Sequence, residues 1–176
     1  MEIFKFGADC LREETTSVDK ISQELLDFMD DMIETMILAP GIGLAGPQVG
    51  LNKNVFTMNV DEGVFEKIIN PKIISKDGIS TFNEGCLSFP LLYSDVVRPE
   101  WIKVSYINEQ GKEVIREEDG LWARCFQHEL DHLTGTLFID HLSKKQMKEL
   151  KSDLKDIRTI GLSQNEIERI TLSKQK

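Results

Sequence analysis

Long hydrophobic runs are absent from this sequence. No stretch approaches the roughly 18 consecutive apolar residues that suggest a membrane-spanning helix, so no membrane segment is predicted. The opening segment, MEIFKFGADCLREE, has no extended apolar core and becomes acidic early, unlike a secretory signal or a transit peptide. We therefore expect a cytoplasmic protein, with an organelle as the less favoured location.

Cysteine and net positive charge are also scarce. The three cysteines, Cys10, Cys86 and Cys125, are too few and odd in number for a disulfide framework, which leaves their thiols available as metal ligands. The chain has 30 acidic against 21 basic residues and a formal net charge of −9. Such a chain is repelled by nucleic acid and anionic lipid as a whole, so we expect no sequence-specific nucleic-acid binding.

The remaining composition is that of one globular domain. Of 176 residues, 40% are hydrophobic and 29% are charged, and no linker or repeat divides residues 1–176. Apolar residues at helical spacing predict a helix that is capped by Ser22 and stopped by Pro40 and Gly41. Short β-rich segments follow, separated by turn signals. They span 54–60, 64–75, 79–83, 92–97, 101–107 and 113–117.

Two further helices are predicted towards the end of the chain. One runs from Leu121 to Leu133 and is ended by Gly135, and the other begins at Ser143 and closes at Gly161. The polar tail, 161–176, is expected to fray or to form one short helix. The order of helix, strands and helices predicts the α+β class, with antiparallel or mixed sheets.

One stretch of the 121–133 helix, QHELDH at 127–132, contains the pattern H-E-x-x-H. On a helix His128 and His132 lie one turn apart, so both imidazoles can reach one metal ion, and Glu129 lies near enough to exchange protons with a water molecule. The pattern also occurs by chance on exposed polar helices. This helix has an apolar face as well, formed by Leu121, Phe126, Leu130 and Leu133. That face predicts burial, which favours a metal site because buried polar groups need partners.

The motif supplies two ligands, and a third must come from elsewhere. Cys125 lies on the same helix about 10.5 Å along the axis from His132, too far for one straight helix to gather all three. His141 is a weaker candidate, since a lone histidine is more typical of a surface position. Cys86, in NEGCLSFP, would alone suggest a small buried residue, but the incomplete motif makes it the favoured ligand.

A third signal is the glycine-rich stretch PGIGLAGPQVG at 40–50. Its glycines allow the backbone to approach a ligand closely, and the lack of a Gly-Lys-Ser ending excludes a phosphate-binding P-loop. Gln48 adds an amide that can donate to a carbonyl. Taken alone, the stretch is equally compatible with a flexible loop.

Together the three motifs resemble those of the peptide deformylases, in the family's order and spacing. GIGLAGPQ (41–48), EGCLS (84–88) and QHELDH (127–132) match the family's glycine-rich, cysteine and histidine motifs, and the resemblance covers essentially the whole chain. One departure is Gly46, where the family usually has alanine, and we expect it to loosen the loop slightly. The resemblance implies sheets wrapped around a central H-E-x-x-H helix, with helices at both ends of the chain.

The resemblance also implies an activity. Such enzymes remove the formyl group from the N-terminal formylmethionine of newly made proteins, which points to a bacterial cytoplasm, and release formate. Glu129 acts as general base and acid for water attack, and the amide of Gln48 with the N–H of Leu87 holds the oxyanion. The implied ligands of one divalent metal ion are Cys86, His128 and His132. Iron(II) is the expected physiological ion, with zinc, nickel or cobalt as alternatives.

The methionine pocket follows by resemblance too. Its implied lining consists of Ile42, Gly43, the stem of Glu84, Leu121 and Cys125. Arg98 and Asp131 are candidates for supporting the ligands, but surface or fold roles are the favoured interpretation. Two rival functions are a zinc endopeptidase, which would use a downstream ligand in place of Cys86, and a non-catalytic metal-stabilised binding protein, which would not need Glu129.

The segment 143–158 differs in charge from the rest of the chain. It holds six basic and three acidic residues, a net charge of +3 in a chain of −9. A solvated helix face is the default interpretation. Because some deformylases dock on ribosomes through their C-terminal segment, the resemblance also predicts weak ribosome binding here.

Overall fold

The structure is a computed structural model that describes the backbone of residues 1–174 and the side chains of residues 1–167. The described part contains seven strands and four α-helices. In chain order they are α1 (Gln23–Leu38), β1 (Gly43–Ala45), β2 (Val55–Met58), β3 (Glu66–Asp77), β4 (Ser80–Cys86), β5 (Phe89–Arg98), β6 (Trp101–Ile107), β7 (Glu113–Glu118), α2 (Gly120–Leu133), α3 (Lys144–Glu149) and α4 (Lys151–Lys174). Short 3-10 turns span Asp9–Arg12, Gly46–Val49 and Phe138–His141.

The strands form two antiparallel sheets. Five strands pair in the order β1-β2-β3-β6-β7, and β4 pairs with β5 as a separate hairpin. In β6 the alternation of Ile102, Val104 and Tyr106 with polar residues puts the apolar side chains into the core. The predicted α+β class is confirmed, and each of the six predicted segments overlaps one of the strands β2 to β7. β1, within the glycine-rich stretch, was not predicted.

The first helix follows its sequence signals closely. Ser22 caps α1 by accepting a hydrogen bond from the N–H of Leu25 at 3.3 Å. Its methionines, Met29, Met32 and Met36, are fully buried against β1, β2 and β3. Methionine fills such irregular interiors well. The predicted apolar stripe is therefore core.

The second helix is buried around most of its circumference. Phe126 stacks on Trp122 and meets Phe56 of β2 edge-on, with ring centroids 5.1 Å apart in both pairs. These contacts seat α2 on the five-stranded sheet. Arg124, His128 and His132 face the other way, towards β4 and β5, and Glu129 faces Gly43 of β1.

The predicted helix end at Gly161 is wrong. The segment that begins at Ser143 forms the short helix α3, breaks at Leu150, and then continues as α4 through Gly161 to Lys174. A Cβ at Gly161 would overlap the carbonyl oxygens of Lys5 and Phe6, so this glycine serves close packing on the N-terminal segment. Residues 161–174 of the predicted tail are helical, and 175–176 lie outside the described residues.

Candidate active site

Three buried polar side chains of α2 converge with the end of β4. His128, Glu129 and His132 are all buried, and the two imidazole centroids are 5.3 Å apart, as one helical turn requires. Cys86 ends β4 at the bend of the hairpin. The possible ligand atoms of Cys86, His128 and His132 all lie within 4.8 Å of one another. The three residues that the sequence analysis favoured as metal ligands are therefore adjacent in the structure.

This donor group fits a divalent metal ion. The Cys86 sulfur is 3.3 Å from Nε2 of His132. His128 uses Nδ1 in a hydrogen bond to Glu84, at 3.0 Å, which directs its Nε2 towards Cys86, where an ion would bind. One thiolate and two imidazoles suit zinc and softer transition metals, including iron(II). Two buried atoms beside the group, Glu129 Oε2 and His132 Nδ1, have no hydrogen-bond partner among the described residues.

Glu84 lies behind His128 and fixes its orientation. Its carboxylate accepts from Nε and a terminal nitrogen of Arg98, at 2.7 and 3.0 Å, and from Arg124 at 3.0 Å. Burial alone would raise the pKa of Glu84, but the hydrogen bonds from His128 and Arg98 outweigh it and lower the pKa to about 2. Glu84 is therefore a fixed anion that holds the Nδ1–H of His128.

The surface position that was one of the two favoured interpretations of Arg98 is wrong. Arg98 is buried, joins Glu84, and donates to Asp131 at 2.6 Å. The Arg98–Glu84–His128 contacts connect it to the donor group. His141 is exposed and lies 2.7 Å from Asp131, outside the donor group. No local signal marked this network, because Arg98 and Asp131 are 33 residues apart.

Glu129 has a different environment from Glu84. Its side chain lies against the backbone of Gly43, where any Cβ would overlap Oε1. Burial raises the pKa of Glu129 to about 7, because the nearby charges of His128 and Arg98 only partly oppose the loss of water. A carboxyl with such a pKa can both accept and return a proton near neutral pH.

Gln48 points its amide nitrogen at the donor group. Its Oε1 accepts from the N–H of Ala45 at 2.8 Å, and its Nε2 lies 3.5 Å from the sulfur of Cys86 and 3.2 Å from Oγ of Ser88. Gly46 is buried in the Gly46–Val49 turn, and a Cβ there would be 2.8 Å from the carbonyl oxygen of Leu51. The glycine permits tight packing.

Cys125 stands apart from the donor group. Its thiol donates to the carbonyl of Ile42 at 3.4 Å. Burial, together with the negative charge of Glu129, raises the pKa of the Cys125 thiol well above its ordinary value, so the thiol stays neutral. The geometric argument against Cys125 as a ligand agrees with this position.

A cavity of about 520 Å³ opens beside these groups. Leu121 and Ile42 are each 42% exposed, which leaves apolar surface for a ligand at its wall. All five predicted pocket residues line it, together with Gln48, Leu87, Cys86, His128 and Glu129. The lining joins an apolar wall to a small set of polar groups.

Two charged residues that line the cavity, Lys5 and Arg124, were not predicted. Arg124 is buried on α2 and reaches Ser80 and Val96 as well as Glu84. An arginine inside a helix with an apolar face is a signal that sequence can offer, because arginine is rarely buried without a partner. Lys5 carried no such signal.

Fold and site together define a class: an α+β protein with a Cys/His/His donor group and a buried glutamate on an H-E-x-x-H helix, as in metal-dependent hydrolases. Comparison with known proteins names the family. The sequence model of polypeptide deformylase matches residues 1–148. A peptide deformylase of Phenylobacterium zucineum is 45% identical over 148 residues, which cover 81% of this chain and 88% of that protein. Peptide deformylase 1 of Clostridium acetobutylicum is 43% identical over 144 residues, 82% of this chain and 95% of that protein.

Solved structures of peptide deformylases are also similar to this chain. A peptide deformylase from Synechococcus elongatus, in complex with actinonin, superposes with a TM-score of 0.83 at 40% identity and covers 87% of this chain and 85% of that chain. The enzyme from Thermus thermophilus gives a TM-score of 0.85 at 36% identity, with coverage of 90% of this chain and 97% of that chain. The chain belongs to the peptide deformylase family and is an enzyme.

No described helix is long and apolar enough to cross a membrane.

Proposed function

We propose that this enzyme hydrolyses the N-formyl group of N-terminal formylmethionine in newly made proteins, in a bacterial cytoplasm, and releases formate. The observation that carries the proposal is the buried carboxylate of Glu129. Its Oε2 has no partner among the described residues and lies beside three donor atoms within 4.8 Å of one another. Neither a structural metal site nor a binding protein needs such a group. A formamide is a small substrate that a narrow, partly buried site can accept.

Cys86, His128 and His132 would hold one divalent ion, with iron(II) as our proposed physiological metal and zinc, nickel or cobalt as substitutes. Such an ion supplies Lewis-acid chemistry, which lowers the pKa of water and polarises a carbonyl. If iron(II) is native, activity should decline faster in air than under argon, because thiolate ligands and iron(II) oxidise together. Equal half-lives would exclude iron(II) as the working ion.

Glu129 moves the proton in the proposed reaction. It takes a proton from the attacking water as the new C–O bond forms, and it returns that proton to the nitrogen as the C–N bond breaks, which gives formate and the free amine. Burial raises the pKa of Glu129 to about 7 in the metal-free protein, and this effect of burial favours a carboxyl that can both accept and return a proton.

The negative charge that develops on the formyl oxygen needs donors. We assign the Nε2 amide of Gln48 and the backbone N–H of Leu87, which line the same cavity as Glu129. Gln48 is held ready for this by its bond from Ala45, at 2.8 Å, because that bond fixes which end of the amide faces the site. Fixed donors cost no reorganisation as the charge develops.

The methionine side chain is proposed to enter the apolar part of the cavity. Ile42, Leu121 and Cys125 offer the apolar wall, with the stem of Glu84 beside them. Gly43 leaves its backbone open to pair with the peptide, and a side chain there would collide with Glu129 and Cys125.

We also propose that the enzyme meets its substrate at the ribosome through the 143–158 segment. The six basic side chains of that segment are all exposed. Phosphate contacts of this kind weaken as salt rises. Co-sedimentation with ribosomes that falls with salt would support the contact, and absent or salt-insensitive co-sedimentation would exclude it.

The activity itself is tested with three substrates on anaerobically prepared, metal-loaded enzyme. Formyl-Met-Ala-Ser should release formate and one free amine per turnover, and neither Met-Ala-Ser nor casein should be cleaved. Cleavage of casein without formate release would identify an endopeptidase. Bound metal with no turnover of any formyl peptide would identify a binding protein.

A further inference from the structure

We infer that Lys5 is a positioning residue for the deformylation reaction, because it holds the peptide unit that follows the oxyanion donor Leu87. The ammonium of Lys5 donates to the carbonyl oxygen of Leu87 at 2.8 Å. The inference rests on the proposed function, in which the N–H of Leu87 and the amide of Gln48 stabilise the oxyanion.

The N-terminal segment bridges the two loops that carry these donors. The N–H of Phe4 donates to the carbonyl of Gln48 at 2.8 Å, and the N–H of Phe6 donates to the carbonyl of Ser88 at 3.0 Å. Lys5, between them, reaches Leu87 with its side chain. Residues 4–6 therefore fix the distance between the Gln48 loop and the hairpin bend. Within the part of the chain that the structure describes, no strand pairing joins these two segments.

The Lys5 side chain is directed inward, although lysine usually extends its ammonium into water. It is half-buried and lines the same cavity as Glu129 and Cys86. Burial lowers the pKa of Lys5, while the nearby charges of Cys86 and Glu2 oppose that effect and favour the ammonium. A charged donor to a carbonyl makes a stronger hydrogen bond than a neutral one, so Leu87 is held more firmly than a water molecule would hold it.

Helix α4 anchors the other side of this segment. Gln164 accepts from the backbone N–H of Lys5 at 2.7 Å and donates to the carbonyl of Ile3 at 3.3 Å. Gly161 allows α4 to lie directly against Lys5 and Phe6. The backbone of Lys5 is thus fixed from the C-terminal helix, and its side chain transmits that position to Leu87.

A donor to the oxyanion matters in the transition state more than in substrate binding. Loss of one such donor typically costs about 10²–10³ in kcat. Lys5 acts through Leu87, so its removal should cost less, about tenfold in kcat, with KM changed by no more than about twofold. A merely structural role would lower the melting temperature or the metal content and leave the kcat of the folded, metal-loaded enzyme unchanged.

The test compares Lys5→Met, Lys5→Arg and the control Lys67→Met on formyl-Met-Ala-Ser, with kcat, KM, metal content and melting temperature measured for each. Lys67 is a matched control because its ammonium also reaches a backbone carbonyl, that of Leu26 at 3.3 Å, away from the cavity. We expect Lys5→Met to lose kcat with normal metal content, Lys5→Arg to exceed Lys5→Met by about threefold or more, and Lys67→Met to keep its kcat.

The outcomes separate this inference from the proposed function. Wild-type enzyme that releases no formate overturns the proposed function, and with it the inference. Active wild-type enzyme with an unchanged kcat in Lys5→Met overturns the inference alone. Equal losses of kcat in Lys5→Met and Lys5→Arg also overturn the inference. A loss of kcat that parallels a fall in melting temperature or metal content overturns it as well, because neither result requires a positioned ammonium.

Discussion

Two buried carboxyl groups on opposite sides of helix α2 have pKa values that are shifted in opposite directions. On the side of the β4–β5 hairpin, Glu84 is surrounded by Arg98, Arg124 and His128, and its pKa falls to about 2. On the side of β1, Glu129 meets a glycine backbone, and burial raises its pKa to about 7. One carboxylate is held as an anion against His128, a proposed metal ligand, and the other can carry a proton. Environment, and not residue type, divides the two roles.

The largest effect is expected from Glu129→Gln, which removes the proton carrier and keeps its size. General acid–base participation is typically worth about 10²–10⁴ in rate, and one group serves two transfers here, so kcat should fall towards the upper end. KM and metal content should change little, because the pocket and donor group are intact. Steady-state kinetics with metal analysis measures this. A kcat above about a tenth of wild type would contradict the role of Glu129.

A second pair of variants distinguishes the roles of Cys86, in the donor group, and Cys125, in the wall of the pocket. Cys86→Ser should lower metal affinity by well over about tenfold, since a neutral hydroxyl replaces a thiolate ligand. Cys125→Ser should keep its metal and change mainly KM, because Cys125 contacts Ile42 at the pocket wall. Metal titrations of both variants test this. Loss of metal from Cys125→Ser but not from Cys86→Ser would reverse the assignment.

Glu84→Gln tests whether the carboxylate of Glu84 holds His128 in place. It leaves Arg98 and Arg124 buried without their anion, which typically costs about 3–5 kcal/mol of unfolding free energy. Because the amide holds His128 less firmly, metal affinity should also fall, by about 10–100-fold. Glu66→Gln is the control, since Glu66 accepts from Arg116 at 2.9 Å in a network away from the donor group. Equal metal affinity in the two variants would show that Glu84 does not orient the ligand.

The smallest effect concerns acid stability. A pKa lowered from 4.5 to about 2 contributes about 3 kcal/mol, present above the unfolded value and lost as pH falls towards 2. In metal-free protein, the stability difference between wild type and Glu84→Gln should therefore shrink between about pH 5 and pH 3. Denaturant unfolding at each pH measures it. A constant difference would mean that Glu84 is not held ionised.

Local signals in the sequence predicted much of this molecule. Met29 and Met32 mark the buried face of α1, and the four-residue spacing of His128 and His132 predicts their convergence, because both follow from helix periodicity. Cys86 was reached by elimination and by family resemblance, and the structure places it beside both histidines.

The rest depends on contacts between distant positions. Gly161 has the sequence signal of a helix end, but the N-terminal segment packs on it and the helix continues. Glu84 was predicted as a pocket wall, and its partner Arg98 was interpreted as a surface or fold residue, since nothing local links them. Lys5 and Leu87 are 82 residues apart. Tertiary packing decides such pairs.

The most direct test of the contrast between the two sides of α2 is to titrate both carboxyls in metal-free protein. Carboxyl infrared spectra of wild type, Glu129→Gln and Glu84→Gln are recorded as a function of pH. We predict one carboxyl that titrates near pH 7 in wild type and in Glu84→Gln and is missing from Glu129→Gln. If no carboxyl titrates above about pH 5 in wild type, or if the signal near pH 7 survives in Glu129→Gln, the two-sided account is contradicted.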